Sequence, residues 1–72
     1  MISIDFALND EFIELFKLLK AEGYAATGGE AKLMIASGSV LVNGNIELRK
    51  RNKLRKGDVV SFTSIPHLIS IC

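Results

Sequence analysis

The chain has 72 residues and a mass of 7.9 kDa, enough for one hydrophobic core, because a domain this small buries only about 60% of the surface its unfolded chain exposes. Apolar residues make up 49% and charged ones 24%, which excludes a disordered or low-complexity chain, and the formal net charge of +1 by itself points to no partner. The single cysteine, Cys72, excludes an internal disulfide and fits a reducing cytoplasm, and no apolar run approaches the roughly 18 residues of a membrane span. Asp5 interrupts the first apolar stretch and no basic leader precedes it, so neither export nor membrane insertion is expected.

Ile2, Ile4 and Phe6 alternate with Ser3 and Asp5, the period-two pattern of a half-buried strand. From Asn9 to Glu22 the apolar Phe12, Leu15, Phe16 and Leu19 recur at the spacing of one helical face, with Asn9 or Asp10 as N-cap and Gly23 as terminator. A second helix starts at Thr27, where Thr27-Gly28-Gly29-Glu30 reads as a capping box, and ends at Gly38, with Ala31, Met34 and Ile35 facing the core. Only a few residues around Gly23 to Ala26 join the two, which predicts a compact helix-turn-helix-like pair.

Strand signals follow. Val40, Leu41 and Val42 lead into Asn43-Gly44, the dipeptide suited to a tight hairpin, with Ile46 and Leu48 on the returning strand. Gly57-Asp58 turns the chain into Val59-Val60-Ser61-Phe62, and Pro66 precedes a last strand of Leu68, Ile69 and Ile71. The apolar end from Leu68 to Cys72 is either docked or an exposed edge, and the expected state is a monomer or weak dimer. The whole reads as one α+β domain over residues 1–72, a two-helix layer packed on a small, mostly antiparallel sheet.

Charge is distributed unevenly. Up to Ala36 three basic residues face six acidic ones; beyond it, six basic residues face Glu47 and Asp58. All six fall in eight consecutive positions, Arg49-Lys50-Arg51-Asn52-Lys53-Leu54-Arg55-Lys56. Cations this close repel one another unless an anion compensates, and RNA is a polyanion that binds by releasing counterions at each neutralised phosphate. If the run begins extended, Arg49 and Arg51 share one side while Leu54 anchors the segment to the core. The bland reading is a solvated basic loop.

A second candidate is the start of the second helix, where Thr27, Gly28 and Gly29 leave backbone amides uncovered at the positive helix end and Lys32 adds a cation, although Glu30 opposes an anion there. The plain alternative is a cap with glycines that serve close packing. Tyr24 suits base stacking or, more commonly, core cover, and Asn43 and Asn45 have hydrogen-bonding amides of which the hairpin explains the first. His67 and Cys72 lack any partner for a metal or nucleophile constellation, and Glu11, Glu14 and Glu22 alternate with Lys17 and Lys20 as on a solvated face. No catalytic residue, metal or cofactor is expected; the chain reads as a binding module.

From Phe12 to Phe62 the sequence resembles the RNA-binding domain named after ribosomal small-subunit protein four. The residues that carry the resemblance are Leu15, Leu18 and Leu19 before Gly23, the helix ending Ile35-Ala36-Ser37-Gly38, then Val40-Leu41-Val42-Asn43-Gly44, and Lys56-Gly57-Asp58-Val59-Val60. It is particularly similar to short bacterial members with an Arg/Lys-rich stretch at the position of Glu47 to Lys53. The resemblance implies that RNA crosses the second helix and the hairpin and loop after it, with contacts at Thr27, Gly28, Gly29, Lys32, Arg49, Lys50, Arg51 and Lys53. Many such domains open the second helix with Ser-Arg or Thr-Arg, whereas Gly28 follows Thr27 here, which shifts weight to Arg49 and Arg51. Structured RNA, ribosomal or transfer RNA, held by phosphate contacts and shape is the expected partner, with Arg55 and Lys56 adding only long-range attraction. The competing reading is a ribosome-associated adaptor that contacts protein alone.

Overall fold

The structure is a computed structural model that describes residues 1–72. Seven strands and two helices follow in the order β1 (Ile2–Phe6), β2 (Ile13–Glu14), α1 (Leu15–Ala21), α2 (Gly28–Ala36), β3 (Val40–Val42), β4 (Asn45–Ile46), β5 (Lys53–Leu54), β6 (Val59–Phe62) and β7 (His67–Ile71). The main sheet has the order β1-β7-β6-β3-β4, antiparallel except for the parallel pair of β1 with β7, and β2 and β5 form a separate antiparallel ribbon. The expected α+β architecture, two helices on a mostly antiparallel sheet, is thus present.

Both helices bury one stripe against the sheet. Leu15, Leu18 and Leu19 of α1 and Ala31 and Ile35 of α2 are fully buried and meet Val40, Val60, Phe62, Ile69 and Ile71 from the strands, with Met34 partly buried beside them. Each fully buried Leu or Ile contributes about 1.5–3 kcal/mol relative to an exposed one. Tyr24, between the helices, lies 4.7 Å from the Phe62 ring centroid and 2.8 Å by its hydroxyl from His67 Nδ1. Burial first, and the Glu22 carboxylate second, push the Tyr24 hydroxyl above its ordinary pKa. Tyr24 therefore packs on the core and is pinned to the start of β7, as the core-cover reading expects.

The first helix departs from its expected span. It begins at Leu15, not near Asn9, and Phe12 is not part of it. Ile13 and Glu14 instead pair with Leu54 and Lys53. The N-cap position is Glu14, whose side chain makes no capping bond; neither Asn9 nor Asp10 serves. The helix start is satisfied from far along the chain, since the Leu15 and Phe16 amides donate to the carbonyls of Asn52 and Lys50 at 2.9 and 3.1 Å. A helix needs its first N–H groups met, and a tertiary loop did here what a local cap does elsewhere.

The second helix matches its expected start and end. Thr27 Oγ1 accepts from the Glu30 amide at 3.1 Å, while Glu30 reaches back to the Ala26 amide at 2.8 Å. Gly38 beyond it has φ +80°, a conformation that favours glycine. The returning hairpin strand is shorter than expected: β4 stops at Ile46 and Leu48 is 58% exposed. The C-terminal strand β7 is docked between β1 and β6, so of the two alternatives left open for it the docked one holds, and the outer strands of the sheet are β1 and β4.

Candidate nucleic-acid interface

The basic run is a folded structure, not a loose loop. Leu54 is 0% exposed, and its pairing with Ile13 fixes one end of the run to the core as expected. At the other end Glu47 is the organiser. Its Oε2 accepts from the Arg49 amide and Nε at 2.9 and 3.0 Å, and its Oε1 from Arg49 Nη2 and Asn52 Nδ2 at 2.9 and 3.1 Å. The Glu47 side chain is only 13% exposed. The hydrogen bond from Arg49 is the main cause that holds the Glu47 carboxyl below its ordinary pKa, and the same contact raises that of Arg49.

The chain turns between Arg49 and Asn52, with the Asn52 amide donating to the Arg49 carbonyl at 3.2 Å. This overturns the expectation that an extended run places Arg49 and Arg51 on one side. Arg49 folds back on Glu47, whereas Arg51 reaches Glu14 Oε2 at 3.3 Å and lies 5.2 Å from the Phe16 ring centroid. Glu14, 16% exposed, also pairs with Lys17 at 3.2 Å. Burial raises its pKa, but the hydrogen bonds and charges of Lys17 and Arg51 outweigh burial and leave it lowered. Both arginines on which sequence reasoning leaned are therefore engaged by carboxylates. Lys50 and Lys53 form no ion pair.

At the start of α2, Lys32 Nζ lies 4.7 Å from the Phe16 centroid, which brings it to the same ring as Arg51. The helix start and the basic run, apart in sequence, thus meet at Phe16. Gly28 borders that ring too, but a Cβ there would sit 3.5 Å from it, an ordinary contact, and one on Gly29 would meet only Thr27 Oγ1 at 3.8 Å. Close packing therefore does not require either glycine. The Glu30 carboxylate folds over the helix start and offsets part of its positive end.

Beside the run, an open polar depression of about 510 Å³ is bordered by Asn43, Asn45, Glu47, Arg49, Asn52 and Lys53. Asn43 is committed to the fold. Its Nδ2 donates to Asp58 at 3.1 Å, its Oδ1 accepts from the Val59 amide at 2.9 Å, and its φ of +51° forms the hairpin turn with Gly44. Replacement of Asn43 by Ala is expected to destabilise the domain by about 1–3 kcal/mol, since it strands the Val59 amide and keeps an unfavourable φ. A midpoint unchanged in urea denaturation would contradict this.

Sequence reasoning gave no site role to Glu47, Glu14, Phe12, Phe16 or Lys17, each of which the structure places against a cation of the basic run or at a ring that carries one. Phe12 and Phe16 have helical spacing and were absorbed into an expected core face; Glu47 had a visible signal, an acid two positions before an arginine at a hairpin exit. No helix of the chain is long and apolar enough to cross a membrane, and no cluster of three or more His, Cys, Asp or Glu suits a metal.

A two-helix layer on a small, mostly antiparallel sheet, with a cation-rich loop folded against the first helix, defines a compact α+β domain. The S4 domain model matches residues 6–70, and the chain belongs to that family. It is 50% identical over 50 residues, 69% of this chain and 71% of theirs, to the putative RNA-binding protein YbcJ of Escherichia coli K12 and to YbcJ of Shigella flexneri, which is uncharacterised. The solution structure of YbcJ from E. coli, described as revealing an ALFAL motif involved in RNA-binding, aligns with a TM-score of 0.65 and 37% identity, covering 97% of this chain and 87% of that one.

Proposed function

We propose that residues 1–72 act as a single RNA-binding domain that grips the phosphate backbone of structured RNA, with ribosomal or transfer RNA in the cytoplasm as its target. The observation that carries this reading is the meeting of Lys32 from α2 and Arg51 from the basic run at one ring, next to the unpaired Lys50 and Lys53. Two segments that are each only suggestive become one cationic surface. Membership of the S4 domain family and similarity to a relative named as a putative RNA-binding protein support it.

In this reading Lys32, Lys50 and Lys53 provide the free charges, and Arg51 a charge shared with Glu14. Arg49 keeps unused guanidinium donors but is first a loop-ordering residue. Thr27, Gly28 and Gly29 contribute backbone amides at a helix start that lies beside the Phe16 ring and whose positive end the Glu30 carboxylate offsets in part. The surface holds no stacking pair or repeated reader for bases, so shape and phosphate spacing decide the fit.

The test is simultaneous replacement of Lys32, Lys50 and Lys53 by Ala. Binding to ribosomal RNA fragments, followed by fluorescence anisotropy across a salt series, should weaken at least about tenfold, and the slope of log affinity against log salt should drop by roughly 2 units. Equal affinity and slope in the variant and the parent protein would sink the proposal.

A further inference from the structure

The flank of the β2–β5 ribbon carries a second arrangement of charge. Leu54 points inward, so its neighbours Lys53 and Arg55 project outward by the alternation of a strand. Lys53 Nζ lies 4.9 Å and Arg55 Cζ 6.0 Å from the Phe12 ring centroid. Arg51 Cζ, Lys32 Nζ and Lys17 Nζ lie 5.2, 4.7 and 5.9 Å from that of Phe16. Five cationic groups thus gather around two aromatic rings on one side of the domain.

The rings hold the charges at fixed places, and each is itself held by the fold. Phe12 adjoins the residue that pairs with Leu54, and Phe16 packs on the core and has its amide bonded to Lys50. The acids in contact are few. Glu14 is shared between Lys17 and Arg51, and Asp58 is occupied by the Arg55 amide and the Asn43 side chain. Lys53 and Arg55 therefore stand two residues apart on the outer side of the ribbon, a step of about 6.6 Å in extended chain, which is close to the distance from one phosphate to the next along a nucleic-acid strand, while Arg51 lies before β5, in the turn, at the other ring.

We propose that this flank is a phosphodiester track, in which Lys53 and Arg55, positioned at Phe12, meet successive phosphates of one RNA strand, with Arg51 at Phe16 extending the cationic line. The inference rests on the RNA-binding reading above and extends it to Arg55 and Phe12, away from the helix start and hairpin. It gives Arg55 a direct contact in place of the long-range role that sequence alone suggested. Lys56, next in the chain, contacts neither ring and precedes the Gly57 turn; it carries the same charge without a place on the track.

That difference makes the test. Arg55→Ala and Lys56→Ala each remove one positive charge from adjacent positions, so a diffuse electrostatic effect weakens both equally. With a fully paired RNA hairpin as probe, Arg55→Ala is expected to weaken binding about fivefold and to lower the salt slope by roughly 0.7–0.9, with Lys56→Ala within about twofold of the parent protein. Phe12→Leu should weaken binding about threefold, with its thermal midpoint recorded alongside to separate positioning from unfolding. Equal effects of the two charge removals, or none from Arg55→Ala, overturn the track while the triple lysine variant still reports on RNA binding itself. If the triple variant also binds as the parent does, the underlying reading fails and the track with it. Polyglutamate that displaces the hairpin as well as unlabelled RNA does would overturn it in favour of an acidic protein ligand.

Discussion

Replacement of Leu54 by Ala is expected to cost about 2–5 kcal/mol, lower the thermal midpoint by on the order of 15 °C and abolish RNA binding at temperatures where the parent protein is folded. Leu54 is the one apolar residue in the basic run, is 0% exposed, and pairs with Ile13 in the ribbon that leads into α1. The cavity left by truncation lies between the cationic surface and the core, so loss of stability and loss of the binding surface should be inseparable. Leu54→Met, which nearly conserves volume, should cost less than about 1.5 kcal/mol and retain binding. A Leu54→Ala protein with a parent-like midpoint in calorimetry would show that the run is anchored elsewhere.

Replacement of Glu47 by Ala should weaken RNA binding about tenfold, although it removes a negative charge from a surface meant for a polyanion. Simple electrostatics predicts the opposite sign, which is what makes the experiment decisive. Glu47 ties Arg49 and Asn52 together and so sets the turn whose carbonyls, at Lys50 and Asn52, meet the first amides of α1. Without it the loop keeps its charges and loses their arrangement. Tighter binding in the variant would mean that Glu47 serves only to moderate charge.

The same carboxylate gives a pH dependence of known direction. Its folded pKa is depressed below the ordinary 4.5, so its contribution is fully present above that value and is lost as pH falls through the lower folded pKa. Binding measured from pH 7 down to about 5 should show no break attributable to Glu47. The break belongs in more acid solution, and the Glu47→Ala protein should lack it.

Much of the main sheet and all of α2 were legible because their signals are local. Thr27 and Glu30 form the capping box, Asn43-Gly44 makes the hairpin, and β3 and β6 fall where β-propensity and the neighbouring turns place them. The parallel pairing of β1 with β7 and the true start of α1 were not legible, because each depends on a partner from the other end of the chain. Phe12 and Phe16 have the spacing of a helical face, and only the pairing of Ile13 with Leu54 reveals that one of them lies outside the helix. The site shows the same division. Composition located the cations, but which of them are held by Glu47 and Glu14 is a tertiary fact, and it moved weight from Arg49 to the lysines.

The Leu15 and Phe16 amides have their only acceptors about half the chain length downstream, in the loop that carries the cations. During synthesis the first helix therefore emerges with its start unsatisfied and remains so until that loop has left the ribosome. These two amides are also built-in reporters. Their hydrogen exchange follows every opening of the loop, so protection that rises when RNA is added would register ligand-induced closure at amides already bonded to the loop.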